Sequence, residues 1–385
     1  MSQNIHRGPV SLYLHFPFCE RKCRYCDFLS GPASAEEREK YIDLLCREIN
    51  LRAHEAAASV DTIFIGGGTP SLMTPAQASR VMEAVSASFT VMDNAEISME
   101  VNPGTADLTK LRAYHSAGIN RLSIGVQSFD DSELRLLGRI HTADQARQIY
   151  QMARDAGFRN INLDLMSALP GQNIETWSRT LREAAALQPE HLSAYSLIIE
   201  EGTPFAAMKL PDLPSEDEDR EIYHFTGQYL AENGYKRYEI SNYAREGYEC
   251  RHNCGYWTGH QYLGLGLGAS SDLGGERFRN PDQIETYRTL IENGNLSSLR
   301  CENHKMTRED RMEEFMFLGL RMTDGVSERE FEERFGLKLE DQFGKVVHRH
   351  ISQGLIRRIP KDGGRLALTE YGMDVANYVM SDYLL

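Results

Sequence analysis

The chain of 385 residues is short of positive charge, of tryptophan and of long apolar runs. Its 42 lysines and arginines face 56 aspartates and glutamates, a formal charge of −14. So acidic a chain lacks the phosphate-neutralising surface on which nucleic-acid binders depend, which sets DNA and RNA aside as partners. No stretch approaches the roughly 20 apolar residues a helix needs to cross a bilayer, so no transmembrane segment is expected and membrane contact is peripheral or made through a partner. The opening MSQNIHRGP has no apolar signal-peptide core, and seven cysteines, an odd number, do not make a disulfide framework. Both absences point to the cytoplasm. The length suits a barrel followed by a smaller domain, with room for a large core.

What is present concentrates in Ser11–Phe28, SLYLHFPFCERKCRYCDF, where Cys19, Cys23 and Cys26 stand at CxxxCxxC spacing after a short alternating strand. Thiolates gathered on a tight loop suit a metal centre. Three ligands leave one coordination position vacant: on a four-iron cubane they expose one iron, which can chelate S-adenosylmethionine and pass it an electron. A zinc site completed by a distant Cys250 or Cys254 is the competing reading, as are three structural thiols.

From Ser11 to about Ser196 short apolar runs alternate with helical ones. Ser11 to His15, Thr62 to Ile65, Glu96 to Val101, Arg121 to Val126, Asn160 to Met166 and His191 to Ser196 read as strands. Glu36 to Ala56, Pro75 to Ser88, Leu108 to Ala117, Ala143 to Ala156 and Ile174 to Leu187 read as helices. Alternation of this kind predicts an α/β fold with parallel strands and right-handed crossovers, an open (β/α)6 partial barrel whose ligands gather at the strands' carboxyl ends. Residues too polar or too small for packing fall at those ends: Gly66 to Gly68, Glu100, Asn102, Gln127 and Asp164. The bare backbone of GGGTP (Gly66 to Pro70) is expected to meet a ligand closely, donating N–H groups or accepting from an amino group.

With its aromatic Tyr25 just before the last cysteine, the loop resembles that of the radical S-adenosylmethionine superfamily, and HFPFC resembles the coproporphyrinogen dehydrogenase-like branch that contains HemN and HemW. The resemblance implies a [4Fe-4S] cluster on Cys19, Cys23 and Cys26, and an S-adenosylmethionine site on Tyr13 and Tyr25, on the glycine segment Gly67, Gly68 and Thr69, and on Glu100, Gln127, Asp164 and Arg139. Arg139 matches the arginine that can face the methionine carboxylate.

After Tyr195 a proline-punctuated acidic connector, IIEEGTPF and LPDLPSEDED, leads into a helix from Asp219 to Asn233. Gly264, Gly266 and Gly268 resemble a phosphate loop but have no basic companion, and read as close packing onto the barrel's open side. From about Asn303 three helices, a hairpin turning at Asp362-Gly363-Gly364 and a last helix resemble a winged-helix-like module. Arg321 to Leu385 carries ten basic against eleven acidic residues, so packing or partner contact is expected of it rather than nucleic-acid recognition. The expected division is a barrel core over 1–200, a connector and barrel-completing segment over 201–302, and a C-terminal helical, winged-helix-like domain over 303–385.

RHNCGYW places His252, Asn253, Tyr256 and Trp257 in the HNxxYW pattern of the HemW family, which implies haem as ligand and client haem proteins as partners, some of them respiratory and membrane-associated. Imidazole can ligate iron, and flat rings can stack on a porphyrin. Cys254 and His260 compete as iron ligands, and a packed core cluster in which His252 caps a turn is the other reading. Two departures separate the chain from the oxidase branch. Phe28 stands where that branch has a further cysteine two residues after the third ligand, and the chain begins almost at its first strand, without the oxidase's N-terminal extension. The reading is therefore a haem chaperone, with an oxygen-independent coproporphyrinogen III oxidase-type or other radical enzyme as the alternative. It requires an electron donor outside the chain and is compatible with a homodimer.

Overall fold

The structure, a computed structural model, describes residues 8–55 and 59–384. Strands β1 (Val10–Phe16), β2 (Val60–Gly67), β3 (Val91–Val101), β4 (Arg121–Gln127), β5 (Ile161–Ser167) and β6 (His191–Ser196) lie side by side in sequence order, each pair parallel. The crossovers carry helices α1 (Ala35–Leu51), α2 (Pro75–Ser88), α3 (Leu108–Ser116), α4 (Asp131–Leu137), α5 (Ala143–Asp155) and α6 (Ile174–Ala186). Helix starts follow local chemistry: Ser34 with Glu37, Thr74 with Gln77 and Thr142 with Gln145 form capping boxes that satisfy the first free N–H groups. The spacing carries α1 to Ala56, which lies outside the described residues; its last helical residue is Leu51. Helix α4, absent from the expected pattern, is short, begins on an Asp130 cap and stops at Gly138, whose φ of 76° is left-handed. It delivers Arg139 to the rim.

Beyond β6, the short helix α7 (Pro204–Ala207) precedes α8 (Glu216–Glu232). The acidic SEDED stretch, expected as loop, supplies the N-cap and first turn of α8. Ser215 caps it, and four acids sit where the positive end of the helix dipole favours them. Next β7 (Lys236–Arg237) and β8 (Asn242–Ala244) extend the sheet antiparallel at the β6 edge. Helix α9 (Arg251–Trp257) then leads to β9 (Tyr262–Leu265), which pairs parallel with β1 as a seventh parallel strand. The glycines there do pack closely. A Cβ on Gly264 would lie 2.1 Å from the Ser270 carbonyl oxygen, and one on Gly266, at φ +100°, 2.6 Å from the Tyr41 hydroxyl. That closeness lets β10 (Ser270–Leu273) fold back, followed by β11 (Glu276–Arg279) and β12 (Cys301–Lys305), all antiparallel. The sheet ends in β12 on one side and β7 on the other, unjoined, so the barrel is open.

The added edge is fastened from inside. Glu48 on α1, fully buried, pairs with buried Arg52 at 3.1 Å and accepts from the Gly266 N–H, Asn280 and the Tyr287 hydroxyl at 2.7, 2.7 and 2.6 Å. A buried ion pair is sustained only when its remaining hydrogen-bonding groups are met in this way.

Helices over Arg308–Gly319, Glu328–Phe335 and Leu339–Ser352 pack with a small sheet ordered β13 (Val326–Ser327), β15 (Arg365–Leu368), β14 (Ile356–Ile359) around a second core of Met316, Phe331, Phe343, Val347 and Leu366. Helices, hairpin and terminal helical turns have the winged-helix-like order expected.

Candidate functional site

The carboxyl ends of the parallel strands and the loop after β1 surround one cavity of about 550 Å³. Cys19, Cys23 and Cys26 line it, and all three thiols are free of disulfides. The loop that carries them is tied down by backbone: the Cys19 N–H donates to the Gly31 carbonyl at 3.0 Å, the Arg24 N–H to Leu137 at 3.0 Å, and the Phe205 N–H to the Arg24 carbonyl at 2.9 Å. Cation side chains hold its outer turn, Arg21 Nη2 on the Gly138 carbonyl at 2.8 Å and Lys22 Nζ on the Phe28 carbonyl at 2.8 Å. Among the described residues no three His, Cys, Asp or Glu side chains converge closely enough to share a single ion. Cys250 and Cys254, the candidates to complete a zinc site, are not in the cavity wall, and burial pushes both thiols up to about 12, so they are neutral. Three disulfide-free thiols lining one cavity, with no fourth protein ligand beside them among the described residues, fit a cluster with one open iron.

Every residue expected to hold S-adenosylmethionine lines the same cavity. Glu100, at the end of β3, accepts the Gly67 N–H at 3.0 Å. Burial, with the charge of Asp164 nearby, pushes its carboxyl up to about 8. Asp164 on β5 is raised as well, chiefly by burial, while Ser123 and Asn162 donate to it at 3.0 and 2.8 Å. Arg139 donates through Nη2 to the Asn102 amide oxygen at 2.7 Å and the Gly125 carbonyl at 2.6 Å, and through Nη1 to the Cys23 sulfur at 3.5 Å. Its Nε has no partner among the described residues. Gln127 sits at φ 67°, left-handed backbone that a non-glycine residue rarely adopts, and its amide oxygen accepts from the Tyr195 hydroxyl at 2.9 Å. The hydroxyl of Tyr13 meets His15 Nδ1 at 3.0 Å, and the ring of Tyr25 packs on Phe205.

The glycine segment differs from expectation in one respect. Its N–H groups are engaged within the protein, Gly67 on Glu100, Gly68 on the Phe16 carbonyl at 2.8 Å and Thr69 on the Phe18 carbonyl at 2.7 Å. They cannot donate to a ligand. Accepting from an amino group remains open to the segment's carbonyls. Asn102 ties this wall together, donating to the Thr69 hydroxyl at 2.9 Å while accepting from Arg139.

The HNxxYW segment is helix α9. Its N-terminus is held by Glu96 of β3, which accepts the N–H groups of Arg251 and His252, each at 3.1 Å. That anchor brings His252, Asn253 and Tyr256 into the wall of the same cavity. Trp257 is not among the residues of that wall. Its ring lies under the Arg321 guanidinium at 4.3 Å, against the C-terminal helices, so one face is already stacked. His260 also points elsewhere, pairing with Asp61 at 3.3 Å. His252 is 1 % exposed and both ring nitrogens are engaged, Nδ1 with the Thr62 hydroxyl at 2.8 Å and Nε2 with the Tyr256 hydroxyl at 3.0 Å. The Thr62 hydroxyl donates to Ser11 at 2.8 Å, so it accepts from Nδ1–H, and the lone pair of Nε2 accepts from the Tyr256 hydroxyl. Burial lowers the imidazole to about 3, which keeps it neutral.

Sequence reasoning passed over Arg121, Tyr195 and Glu96. Arg121 and Tyr195 line the cavity, and Glu96 anchors α9; only their position on the parallel strands β4, β6 and β3 marked them. Arg121 is 1 % exposed, its Nε has no partner among the described residues, and it lies close to Glu96 and Asp164.

Residues 13–184 match the Radical SAM superfamily and residues 306–375 the HemN C-terminal domain. The heme chaperone HemW of Bacillus subtilis is 36% identical over 379 residues, 97% of this chain and 99% of the relative. That of Escherichia coli is 36% identical, with 98% of each covered. The mouse protein named Radical S-adenosyl methionine domain-containing protein 1, mitochondrial, is 35% identical over 90% of this chain and 81% of its own length. Among solved structures, coproporphyrinogen III oxidase (HemN) from Escherichia coli, described as a radical SAM enzyme, superposes with a TM-score of 0.86 at 27% identity, over 99% of this chain and 91% of that one.

Proposed function

We propose that this chain, which belongs to the heme chaperone HemW family within the radical SAM superfamily, binds haem and passes it to client haem proteins, respiratory ones included. The observation that carries the reading is that His252, Asn253 and Tyr256 stand in the wall of the cavity that also holds the cysteine loop. Cys19, Cys23 and Cys26 would hold the [4Fe-4S] cluster. Glu100, Asp164, Gln127 and Arg139, with Tyr13, Tyr25 and the segment Gly67 to Thr69, would hold S-adenosylmethionine. When bound, the pair supplies reductive cleavage of a sulfonium, with the electron coming from a donor outside the chain. The residues of this chain bind and orient: carboxylates and an amide for the amino group and ribose, and one guanidinium for the methionine carboxylate.

For haem, the segment from His252 to Trp257 contributes, with His252 Nε2 as iron ligand. The neutral imidazole is the ligating form, and the Thr62–Ser11 chain holds its other nitrogen protonated. Ligation requires the Tyr256 hydroxyl to leave Nε2. Tyr256 then offers its ring to the macrocycle, while Trp257, stacked under Arg321, keeps α9 in place. No helix among the described residues is long and apolar enough to cross a membrane. We place the protein in the cytoplasm, meeting the membrane through its clients.

Haem titration of cluster-loaded protein tests this. Wild type should bind about one haem with an imidazole-ligated spectrum, His252→Ala should weaken binding about tenfold, a loss of ~1.4 kcal/mol, and change the spectrum, and Cys254→Ala should change neither. Trp257→Ala should weaken binding less than His252→Ala. Unchanged affinity and spectrum in His252→Ala would make the segment packing and remove it from the haem site.

The likeness to HemN raises a second reading, oxidative decarboxylation of coproporphyrinogen III. Phe28 stands at the mouth, 61 % exposed, where that branch carries a further cysteine. Supplied anaerobically with coproporphyrinogen III, S-adenosylmethionine and a reductant, the protein should form no protoporphyrinogen IX. Sustained formation would reverse the assignment.

A further inference from the structure

The cavity opens between the cysteine loop and the connector that follows β6, and two large apolar side chains stand in that opening. Phe28 is 61 % exposed and Ile198 is 69 % exposed, yet both belong to the cavity wall. What distinguishes them from scattered surface residues is that both stand at the mouth of one cavity. Arg21 and Lys22 line the same opening, and their hydrogen-bond partners are backbone carbonyls, Gly138 and Arg139 for the first and Phe28 for the second. Two full positive charges thus flank an apolar surface. Asp27 and Glu200 share the rim.

A cavity of about 550 Å³ is the size of one drug-sized ligand, so with the cluster and S-adenosylmethionine in it a macrocycle ligated at its wall by His252 extends past the opening. We propose that Phe28, Ile198, Arg21 and Lys22 form an outer haem subsite, in which the part of the macrocycle left outside lies on the two apolar side chains and its carboxylates meet the two cations. The inference rests on the haem reading above. It assigns a role to the phenylalanine that stands in place of a cysteine: a flat apolar plate beside the cluster loop.

Ile198 gives the cleanest test, because it lies outside the cysteine loop and its exposure leaves folding untouched. Cluster-loaded wild type, Ile198→Glu, Phe28→Ala and Lys22→Gln are titrated with haem and with haem dimethyl ester, iron content being measured on each sample. Ile198→Glu should bind haem about tenfold more weakly at unchanged iron content, and Phe28→Ala several-fold more weakly. Lys22→Gln should weaken haem but not the dimethyl ester, which has no carboxylates for the cation to meet. Wild-type haem affinity in Ile198→Glu and Phe28→Ala overturns the outer subsite while leaving the chaperone reading standing. Equal loss of haem and ester in Lys22→Gln overturns the carboxylate contact. Failure of the wild type to bind haem at all defeats the reading beneath it.

Discussion

Replacing Cys19, Cys23 or Cys26 singly by alanine should abolish the iron–sulfur absorbance of anaerobically purified protein, reducing iron from about four per chain to background. The same change at Cys46, Cys250, Cys254 or Cys301 should leave it intact. The division follows from where the thiols sit. The first three share one loop at the cavity, whereas Cys46 lies on α1 and Cys301 on β12. Cys250 and Cys254 are neutral thiols behind the wall, the former 3.6 Å from Glu96. Cys250→Ala still leaves Glu96 the N–H groups of Arg251 and His252, so α9 keeps its anchor. With three ligands, loss of one leaves two thiolates on a cubane, too few to retain it. Iron and sulfide analysis alongside thermal melts separates cluster loss from unfolding. A folded Cys254→Ala protein without iron, or a Cys23→Ala protein with four, would sink the ligand assignment.

How much of this was legible beforehand depended on whether a feature was local. Cysteine spacing, capping residues and the period of apolar positions are all written within a few residues, and the strands and helices of the barrel follow them, except that β3 begins at Val91, five residues before the expected Glu96. The polar strand ends were legible for the same reason, since a glutamate, an amide or an aspartate at the end of an apolar run has no packing role. Contacts between distant segments leave no such mark. Nothing near Arg139 announces that Asn102 and Gly125 fix its guanidinium, and nothing near Gly266 announces the buried Glu48 that binds its N–H. Helix α4 was missed because seven residues give too few turns to show a period. The glycine segment misled in part because bare N–H groups look available until the neighbouring strand supplies carbonyls for them.

Affinity for S-adenosylmethionine should rise with pH between 6 and 9, by up to about a hundredfold, and the rise should depend on Glu100. Its carboxyl is pushed up to about 8 by burial and by Asp164, so at pH 6 about one molecule in a hundred carries the charge and at pH 9 most do. A cationic sulfonium and a ribose diol are both held better by the ionised form. In the ligand-free protein the raised value has the opposite consequence for folding. Stability contributed by the protonated carboxyl is complete below about 4.5 and is lost as pH rises through about 8, whereas bound cofactor offsets that loss. Melting temperature should therefore fall with pH without S-adenosylmethionine and fall less with it. The ligand's own amino group also loses its proton near pH 8 and, as a lone-pair donor to the open iron, adds to the rise, which is why the comparison must be made with Glu100→Gln. That variant should bind more weakly at pH 9, by ~2 kcal/mol, and show only the ligand's own shallower rise. Asp164→Asn removes the neighbouring charge and should move the wild-type midpoint to lower pH, although it weakens binding itself. Calorimetric titration at pH 6, 7, 8 and 9 on all three proteins reads both effects. A wild-type profile that is flat or falling, or one that Glu100→Gln leaves unchanged, would mean that the buried carboxyl is not the group that meets the cofactor.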